Sequence, residues 1–290
     1  MTPADRAPAT PAPQPDVERI VAAALAEDAP WGDVSSEAFV PEQARITARV
    51  VAREPGVLSG TNALEAAFRL VDPAVSVTLH LADGADLSPG AVVAEVAGPA
   101  RSVLRAERMA LNLVQRLSGI ATTTAAHVAA VRAGGGHARV VDTRKTTPGL
   151  RALEKYAVRR GGGANHRMGL WDVALVKDNH VVAAGSVEAA FAAVRETFPG
   201  LAVEVEVDRL DQIPAVLEAG AEEILLDNMD PSELRKAVEL VAGRARLEAS
   251  GGLTLAGARS VAETGVDYLA VGALTHSAPI LDIACDLRAS

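Results

Sequence analysis

The spacing of apolar residues predicts a small α+β domain in the first part of the chain. Apolar residues recur at helical spacing over residues 16–28 and 62–71, and again from about residue 102, where Gly119 is a candidate break in a long helix. Alternating apolar and polar residues predict strands in three segments, residues 45–52, 75–81 and 91–97. We take this domain to run from residue 16 to residue 118.

After residue 118 the pattern changes to short, continuous apolar runs, each followed by a segment of helical periodicity. Such runs are typical of buried parallel strands in βαβ units. The predicted strands are centred near residues 141, 175, 205, 225, 247 and 269. Six compact units fit a barrel better than an open sheet covered on both faces, so residues 119–277 predict an open or incomplete, TIM-like α/β barrel.

Composition excludes several classes of protein. The 290 residues carry a formal net charge of −9 and only 3% aromatic side chains, which argues against binding to nucleic acid or to an anionic membrane. Cys285 is the single cysteine, so no intramolecular disulfide can form and a reducing, cytoplasmic location is expected. Residues 1–15 contain five prolines and predict a disordered tail. The sequence contains no uninterrupted run of 18 apolar residues, so no membrane-spanning helix is predicted.

One basic segment departs from this acidic balance. Residues 139–177 hold nine lysines and arginines and three acids, which gives 9 − 3 = +6. Four of the cations have helical spacing and are expected on a solvated helix face: Arg151, Lys155, Arg159 and Arg160. Four others lie at or near strand ends, where α/β barrels carry their chemistry: Arg144, Lys145, Arg167 and Lys177. A small anionic ligand is the expected partner of this second group.

The third predicted strand of the barrel alternates valine with acidic residues. This alternation places three valines against the outer helices and three acids, Glu204, Glu206 and Asp208, inside the barrel. Buried acids must be paired, hydrogen-bonded or metal-bound to stay ionised, so they form a candidate site with Asp227 and Glu248. An exposed acidic edge strand, or an interior ion-pair network without a catalytic role, is the alternative.

The last two predicted strands end in glycine-containing segments that are candidates for phosphate binding. These segments are Ser250-Gly251-Gly252 and Gly272-Ala273. Barrels commonly bind phosphate at these two strand ends, and glycine allows the backbone N–H groups to approach the ligand closely. Ser-Gly-Gly taken alone is more often a simple turn, and its place after the penultimate strand is what favours phosphate.

Nine segments of the chain resemble the quinolinate phosphoribosyltransferases, also called nicotinate-nucleotide pyrophosphorylases (carboxylating). They occur in the family's order and extend through nearly the whole chain after residue 16. The segments are Glu27-Asp-Ala-Pro-Trp-Gly-Asp33, Glu107-Arg-Met-Ala-Leu-Asn112, Leu117-Ser-Gly-Ile-Ala121, Asp142-Thr-Arg-Lys-Thr-Thr-Pro-Gly149, Gly163-Ala-Asn-His-Arg167, Lys177-Asp-Asn-His180, Leu226-Asp-Asn228, Glu248-Ala-Ser-Gly-Gly252 and Thr275-His-Ser277.

The resemblance implies a fold, an assembly and a reaction. The implied fold is a small N-terminal α+β sandwich domain, rejoined by residues 278–290, with an open barrel of six or seven strands. The implied assembly is a homodimer in which the N-terminal domain of one subunit covers the barrel mouth of the other. The implied reaction joins quinolinate to phosphoribosyl pyrophosphate, with Mg²⁺, and gives nicotinate mononucleotide, pyrophosphate and CO₂ in NAD biosynthesis.

The resemblance also implies roles for individual residues. The residues implied for the two quinolinate carboxylates are Arg144, His166, Arg167 and Lys177, with Arg108 supplied by the partner subunit. The residues implied for the phosphoribosyl end are Lys145, Glu206 and Asp227, and the two acids would also serve Mg²⁺, directly or through water. The remaining residues expected to contact substrate, mainly at the 5′-phosphate, are Thr143, Ser250, Gly251, Gly252, Gly272 and Ala273.

Three alternatives differ from this reading in substrate or in reaction class. A related phosphoribosyltransferase could take nicotinate or another aromatic acid, although four cations for one carboxylate would be excessive. A Schiff-base aldolase could use Lys177 as its nucleophile, because lysine at a barrel strand end is an expected position for one. A binding protein without activity could keep the fold.

Overall fold

The computed structural model describes residues 14–289 of the chain. Within this range the chain forms two compact units. The antiparallel unit comprises residues 14–125, 147–162 and 277–289, and the barrel unit comprises Ala126–Thr146 and Gly163–His276. Residues 1–13, which fall in the predicted disordered tail, lie outside the described residues.

Helices and strands alternate in most of the second half of the chain. The helices are α1 (Gln14–Asp28), α2 (Val34–Phe39), α3 (Thr61–Val71), α4 (Ala100–Ala133), α5 (Arg151–Arg160), α6 (Asp178–Ala184), α7 (Val187–Thr197), α8 (Ile213–Glu218), α9 (Pro231–Val241), α10 (Leu255–Ala262) and α11 (Ala273–His276). The strands are β1 (Arg45–Ala52), β2 (Gly56–Val57), β3 (Ser76–Leu79), β4 (Asp86–Leu87), β5 (Val92–Pro99), β6 (Arg139–Val141), β7 (Ala174–Val176), β8 (Val203–Val207), β9 (Glu223–Asp227), β10 (Arg246–Ser250), β11 (Tyr268–Ala270) and β12 (Ile283–Ala289).

The antiparallel unit is built on a four-stranded sheet in the order β12-β1-β5-β3. Both β12 and β5 pair antiparallel with β1, so the C-terminal strand lies beside the first strand. Strand β1 buries Ala48 and Val50, the apolar members of its alternating pattern, because one face of the sheet packs on the core. Helix α3 buries Leu64 and Phe68, which lie four residues apart on one helical face.

Helix α4 runs without interruption through Gly119, so the expected break at this residue is wrong. The glycine is explained by packing instead. A Cβ atom added at Gly119 would lie 1.9 Å from the carbonyl oxygen of Pro279, which no side chain could tolerate. Gly119 therefore allows the backbone at Pro279 to approach the helix, and the helix keeps its hydrogen bonds despite the low helix propensity of glycine.

The barrel unit contains a six-stranded parallel sheet in the order β6-β11-β10-β9-β8-β7. Strands β6 and β7 are its two edges, so the sheet is not closed. Ala164 forms a single parallel bridge with Val141 of β6, which adds one strand-like position beyond that edge. The predicted open α/β barrel with a smaller antiparallel domain is thus confirmed, and each of the six predicted strand centres lies within its observed strand.

The inner face of the sheet is unusually rich in charge. Glu204 pairs in register with Glu223, and Glu223 pairs with Arg246, so these three side chains share one face. Glu248 lies two residues beyond Arg246 and therefore on the same face. The prediction that Glu204 and Glu206 lie inside the barrel holds. Asp208 differs, because β8 ends at Val207 and the Asp208 side chain is 66% exposed beside Arg209.

The helix that carries four predicted surface cations is more buried than expected. In α5, Lys155 is fully buried and Arg151, Arg159 and Arg160 are half-buried, so the expected solvated face is wrong for Lys155. The guanidinium of Arg160 lies 4.7 Å from the ring centre of Tyr156. Burial along this helix follows its packing within the antiparallel unit, which helical spacing alone does not determine.

Candidate active site

The carboxyl ends of the six parallel strands meet at one edge of the barrel unit, and this edge collects most of the predicted site residues. Lys145 follows β6 and lies beside the end of β11. A Cβ atom added at Gly272 would lie 3.1 Å from Lys145 Cδ, and the Thr275 hydroxyl donates to the Lys145 carbonyl oxygen (2.8 Å). The Thr143 hydroxyl accepts a hydrogen bond from the Lys145 N–H (3.0 Å). The loop after β6 is therefore held against the last strand, with the exposed Lys145 side chain at the barrel edge.

Lys177 and Glu206 form an ion pair at the ends of the neighbouring strands β7 and β8. The parallel register that pairs Val176 with Val205 places the next residues, Lys177 and Glu206, side by side. The Glu206 side chain is 18% exposed and that of Lys177 is 44% exposed, so the carboxylate is held inside while the ammonium reaches solvent. The lysine expected at the quinolinate end thus contacts the acid expected at the phosphoribosyl end.

Asp227 ends β9, on the same face of the sheet as Glu206. Glu206 pairs in register with Leu225, and Asp227 lies two residues further along β9. Both carboxylates line one open cleft. Asp227 accepts a hydrogen bond from the Asn228 side-chain amide (2.8 Å). Two carboxylates at adjacent strand ends supply the hard oxygen ligands that Mg²⁺ prefers, so these residues fit the implied metal.

Asp142, directly after β6, is fully buried and holds the segment that carries His166. One carboxylate oxygen accepts from the His166 backbone N–H (2.9 Å), and the other accepts from the Asn165 side-chain amide. Hydrogen bonds to a buried charge are stronger than neutral ones, so this acid fixes the segment firmly. Asp142 and Asn165 were not among the predicted site residues, although both lie in segments that resemble the family.

His166 points into the barrel and contacts two acids. Its Nε2 atom lies 2.9 Å from Glu204 Oε2 and 3.5 Å from Glu248 Oε2. Burial, followed by repulsion from Glu204, raises the pKa of Glu248 well above its ordinary value. Glu204 and Glu248 are 1% and 2% exposed, so a buried cluster of two acids and the predicted histidine lies inside the barrel.

Arg167 and Arg144 bring two guanidinium groups into one region of the barrel unit. Arg167 is 8% exposed and donates from Nη1 to the Val173 carbonyl oxygen (3.1 Å). Burial lowers its pKa, and the positive charge of Arg144 lowers it further. Two cations that repel each other inside a protein favour binding of an anion between them, because the anion relieves the repulsion.

The segment after β10 has a left-handed backbone, with φ angles of +94° at Gly251 and +58° at Gly252. A Cβ atom added at Gly251 would lie 2.2 Å from Asn228 Oδ1. Asn228 itself has a φ of 58°, and its N–H donates to the Ser250 carbonyl oxygen (2.9 Å). Gly251 is therefore required by its close approach to Asn228, whereas Gly252 faces open space, where a ligand can approach its backbone.

Arg108 is the one predicted site residue that lies in the antiparallel unit. It is exposed on α4. Its neighbour Glu107 has a raised pKa, because burial outweighs the opposing attraction of Arg108. The other predicted residues all belong to the barrel unit, from Thr143 to Ala273. Among residues 14–289, none of the helices combines the length and hydrophobicity that crossing a membrane would need.

Comparison with known families finds a match to both parts of the chain. The family model described as the quinolinate phosphoribosyl transferase N-terminal domain matches residues 33–118, and the model for the C-terminal domain of the same family matches residues 120–286. A nicotinate-nucleotide pyrophosphorylase [carboxylating] from Mycobacterium leprae is 50% identical over 273 residues, which cover 91% of this chain and 94% of that protein. A probable nicotinate-nucleotide pyrophosphorylase [carboxylating] from Bacillus subtilis is 43% identical over 265 residues and covers 91% of each chain.

A solved structure agrees with these matches. The nicotinate-nucleotide pyrophosphorylase from Francisella tularensis superposes with a TM-score of 0.93 at 34% identity, covering 98% of this chain and 100% of that one. The agreement therefore extends over both units and over the strand ends that carry the predicted site. On the combined agreement of sequence and structure, the chain belongs to the quinolinate phosphoribosyltransferase family.

Proposed function

We propose that this chain is a quinolinate phosphoribosyltransferase, which joins quinolinate to phosphoribosyl pyrophosphate and releases pyrophosphate and CO₂ to give nicotinate mononucleotide for NAD biosynthesis. The observation that carries the proposal is the meeting of cations and carboxylates at one edge of an open barrel. Arg144, Arg167 and Lys177 are suited to a dicarboxylate, and Glu206 and Asp227 are suited to a metal and a developing positive charge.

The cations orient the substrate. Guanidinium groups pair bidentately with carboxylates, so Arg144 and Arg167 would fix the plane of the pyridine ring with its nitrogen facing the ribose carbon. Lys177 adds a point charge once its ammonium turns from Glu206 towards the substrate, which its 44% exposure permits. Such fixed orientation converts a reaction between two molecules into one within a complex.

The acids and Lys145 serve the phosphoribosyl end. Departure of pyrophosphate leaves positive charge on the ribose carbon, and the carboxylates of Glu206 and Asp227 stabilise that charge. Lys145, exposed beside Gly272, would neutralise phosphate oxygens. The 5′-phosphate would contact the backbone of Ser250, Gly251, Gly252, Gly272 and Ala273.

Mg²⁺ is the metal we propose, held by Glu206 and Asp227 either directly or through water. When bound, it would neutralise the pyrophosphate charge and so make pyrophosphate a better leaving group. The Lys177 ammonium, which contacts Glu206 in the structure, would leave that carboxylate when the metal binds.

Loss of CO₂ needs no further cofactor. After the ring nitrogen is bonded to ribose it carries a positive charge. The electron pair of the broken bond to the adjacent carboxyl carbon remains on the ring carbon beside that charge, which stabilises it, and a proton from solvent completes the product. The enzyme's contribution is to hold the ring and exclude competing arrangements.

We further propose that the active form is a homodimer, in which Arg108 completes the quinolinate site of the partner subunit. The exposure of Arg108 on α4 is consistent with such a role. A cytoplasmic location stays a prediction from the single cysteine. The Schiff-base alternative is disfavoured, because Lys177 forms an ion pair with Glu206 and an anionic substrate accounts for the cations at the neighbouring strand ends without covalent chemistry.

Release of labelled CO₂ tests the proposal. Quinolinate carrying a carbon label in the carboxyl group next to the ring nitrogen would be incubated with the protein, phosphoribosyl pyrophosphate and Mg²⁺. Labelled CO₂ and nicotinate mononucleotide are expected in equal amounts. Turnover of nicotinate without CO₂ release would support the related nicotinate enzyme instead, and absence of turnover with either acid would reject both assignments.

A further inference from the structure

Both ring nitrogens of His166 have partners inside the barrel unit. Nδ1 accepts a hydrogen bond from the backbone N–H of Arg167 (2.7 Å), so this nitrogen carries no hydrogen. A neutral imidazole then carries its hydrogen on Nε2. The Nε2 atom lies 2.9 Å from Glu204 Oε2, which is the distance of a good N–H···O hydrogen bond.

The same three side chains could be mistaken for a metal site. Ligand atoms of His166, Glu204 and Glu248 all lie within 4.8 Å of one another. A neutral imidazole that binds a metal through Nε2 carries its hydrogen on Nδ1 and normally donates it to an acceptor. Here Nδ1 faces a donor, the Arg167 N–H, so this arrangement opposes metal binding and favours an Nε2–H group that donates to glutamate.

We propose that Glu204 and Glu248 are positioning residues of the anion site, which hold the His166 ring as its Nε2–H tautomer and thereby fix the segment that carries Arg167. Glu204 accepts the hydrogen bond, and Glu248 Oε2 lies 3.5 Å from the same Nε2 atom. Both acids come from interior strands of the sheet, β8 and β10, each paired with a neighbour on both sides, and such strands are rigid supports.

The His166 ring connects strands β8 and β10 to the segment that carries His166 and Arg167. The His166 backbone N–H is held by Asp142, the ring is held by the two glutamates, and the ring in turn accepts from Arg167. Arg167 is fixed at its other end by the bond to the Val173 carbonyl oxygen. In this arrangement His166 contributes to carboxylate binding through the position of Arg167. For its effect on catalysis, the inference rests on the proposed function.

The ring tautomer can be measured by nitrogen-15 NMR on ligand-free protein labelled at histidine. His166→Gln identifies the signals of this ring by their disappearance. We expect a neutral ring protonated at Nε2 in the wild-type protein and in Glu204→Gln, whose amide oxygen can still accept. Glu204→Leu removes the acceptor of the Nε2–H group and leaves the Arg167 N–H alone to favour this tautomer, so we expect a mixture of the two neutral tautomers in this variant. A wild-type ring protonated at Nδ1 would overturn the proposal.

Kinetics test the effect on the substrate. Glu204→Leu should raise the quinolinate KM about tenfold, the effect of losing one charge-assisted hydrogen bond, with a much smaller change in kcat. Glu204→Gln should recover most of the wild-type KM. The matched control is Glu223→Gln, a buried acid on the same face of the sheet that pairs in register with Glu204 and faces Arg246. This control should keep the wild-type KM and the wild-type His166 tautomer.

The outcomes separate this proposal from the proposed function. Failure of the wild-type protein to release CO₂ rejects the function and leaves the tautomer measurement to decide the positioning role. If the wild-type protein is active, a folded Glu204→Leu variant with an unchanged quinolinate KM and an unchanged His166 tautomer overturns the positioning role. The same holds if Glu204→Leu only lowers the melting temperature and changes neither the KM nor the tautomer. If Glu204→Leu does not fold, the wild-type and Glu204→Gln tautomers decide.

Discussion

Replacement of Glu223 by glutamine should make the folded protein more stable at alkaline pH. Glu223 is 7% exposed on the inner face of the barrel sheet. Burial, followed by repulsion from Glu204, raises its pKa to about 7, and attraction by Arg246 opposes these effects without cancelling them. The carboxylate form is therefore costly inside the barrel, and an uncharged isostere avoids this cost.

The stability that Glu223 contributes depends on pH, because its pKa differs between the folded and unfolded protein. The pKa of Glu223 in the folded protein is about 7, compared with 4.5 for the ordinary side chain. The folded state thus holds the proton more tightly, so the stabilising contribution is complete below pH 4.5 and is lost as the pH rises through 7. A difference of about 2.5 pKa units at 1.36 kcal/mol each corresponds to a loss on the order of 3 kcal/mol. Glu223→Gln should escape this loss.

Urea unfolding followed by circular dichroism at pH 5 and at pH 8 would measure this difference. The wild-type protein should lose more stability between the two pH values than Glu223→Gln does, and the variant should be the more stable of the two at pH 8. Glu222→Gln is the matched control, because Glu222 is the adjacent acid and is exposed. Equal pH dependence in the wild-type protein and Glu223→Gln would refute the argument that burial holds a proton on this side chain.

Three further predictions concern the site and the fold. Arg144→Ala and Arg167→Ala should each raise the quinolinate KM about 10- to 100-fold in steady-state assays. Arg132→Ala, at an exposed arginine outside the site, should leave the KM unchanged. Wild-type kinetics in both site variants would contradict the assignment of these arginines to quinolinate binding. Chelation of divalent cations should abolish CO₂ release and added Mg²⁺ should restore it; full activity in chelator would exclude the metal. Gly119→Ala should lower the free energy of unfolding by about 1–3 kcal/mol in thermal unfolding, because the added Cβ atom would clash with the Pro279 carbonyl oxygen. The control is Gly257→Ala, whose added Cβ atom would have its nearest neighbour at 3.5 Å and should cause no such loss.

The strands of the barrel could be predicted because their signal is local. Strands such as β9 and β11 contain short runs of buried apolar residues, which predict a buried parallel strand whatever its neighbours are. The alternation in β8 also predicted correctly that Glu204 and Glu206 face inward. The prediction failed at Asp208, because alternation continues in the sequence past Val207, where the strand ends and the chain turns to solvent.

The burial of the charged residues of α5 depends on tertiary packing, which the sequence pattern does not show. Helical spacing puts Arg151, Lys155 and Arg159 on related faces of α5, but it does not say what covers them. Lys155 is fully buried, and so is its neighbour Glu154, which pairs with Arg116 at 2.9 Å. Charge in a sequence indicates a solvated face only when no other part of the fold packs against it.

The role of His166 shows the same limit at the site. Its place beside Arg167 is visible in the sequence, but the partner that decides its ring orientation, Glu204, lies 38 residues further along. The pairing arises because β8 brings that residue to the inner face of the sheet. Single-sequence reasoning can therefore name the residues of a site before it can say which of them touch the substrate and which hold the others.

The ion pair of Lys177 with Glu206 links the two ends of the proposed site. Lys177 is assigned to the quinolinate carboxylates and Glu206 to the metal, yet each neutralises the other in the free protein. Removing Lys177 would leave the largely buried carboxylate of Glu206 without its ammonium partner, so the variant would change the metal end as well as the quinolinate end. A single substitution cannot separate these effects, because neighbouring charges are not additive. A double-mutant cycle separates them: the quinolinate KM and the Mg²⁺ dependence of CO₂ release are measured for Lys177→Met, for Glu206→Gln and for the double variant. The difference between the double variant and the sum of the two single variants gives the interaction energy between Lys177 and Glu206.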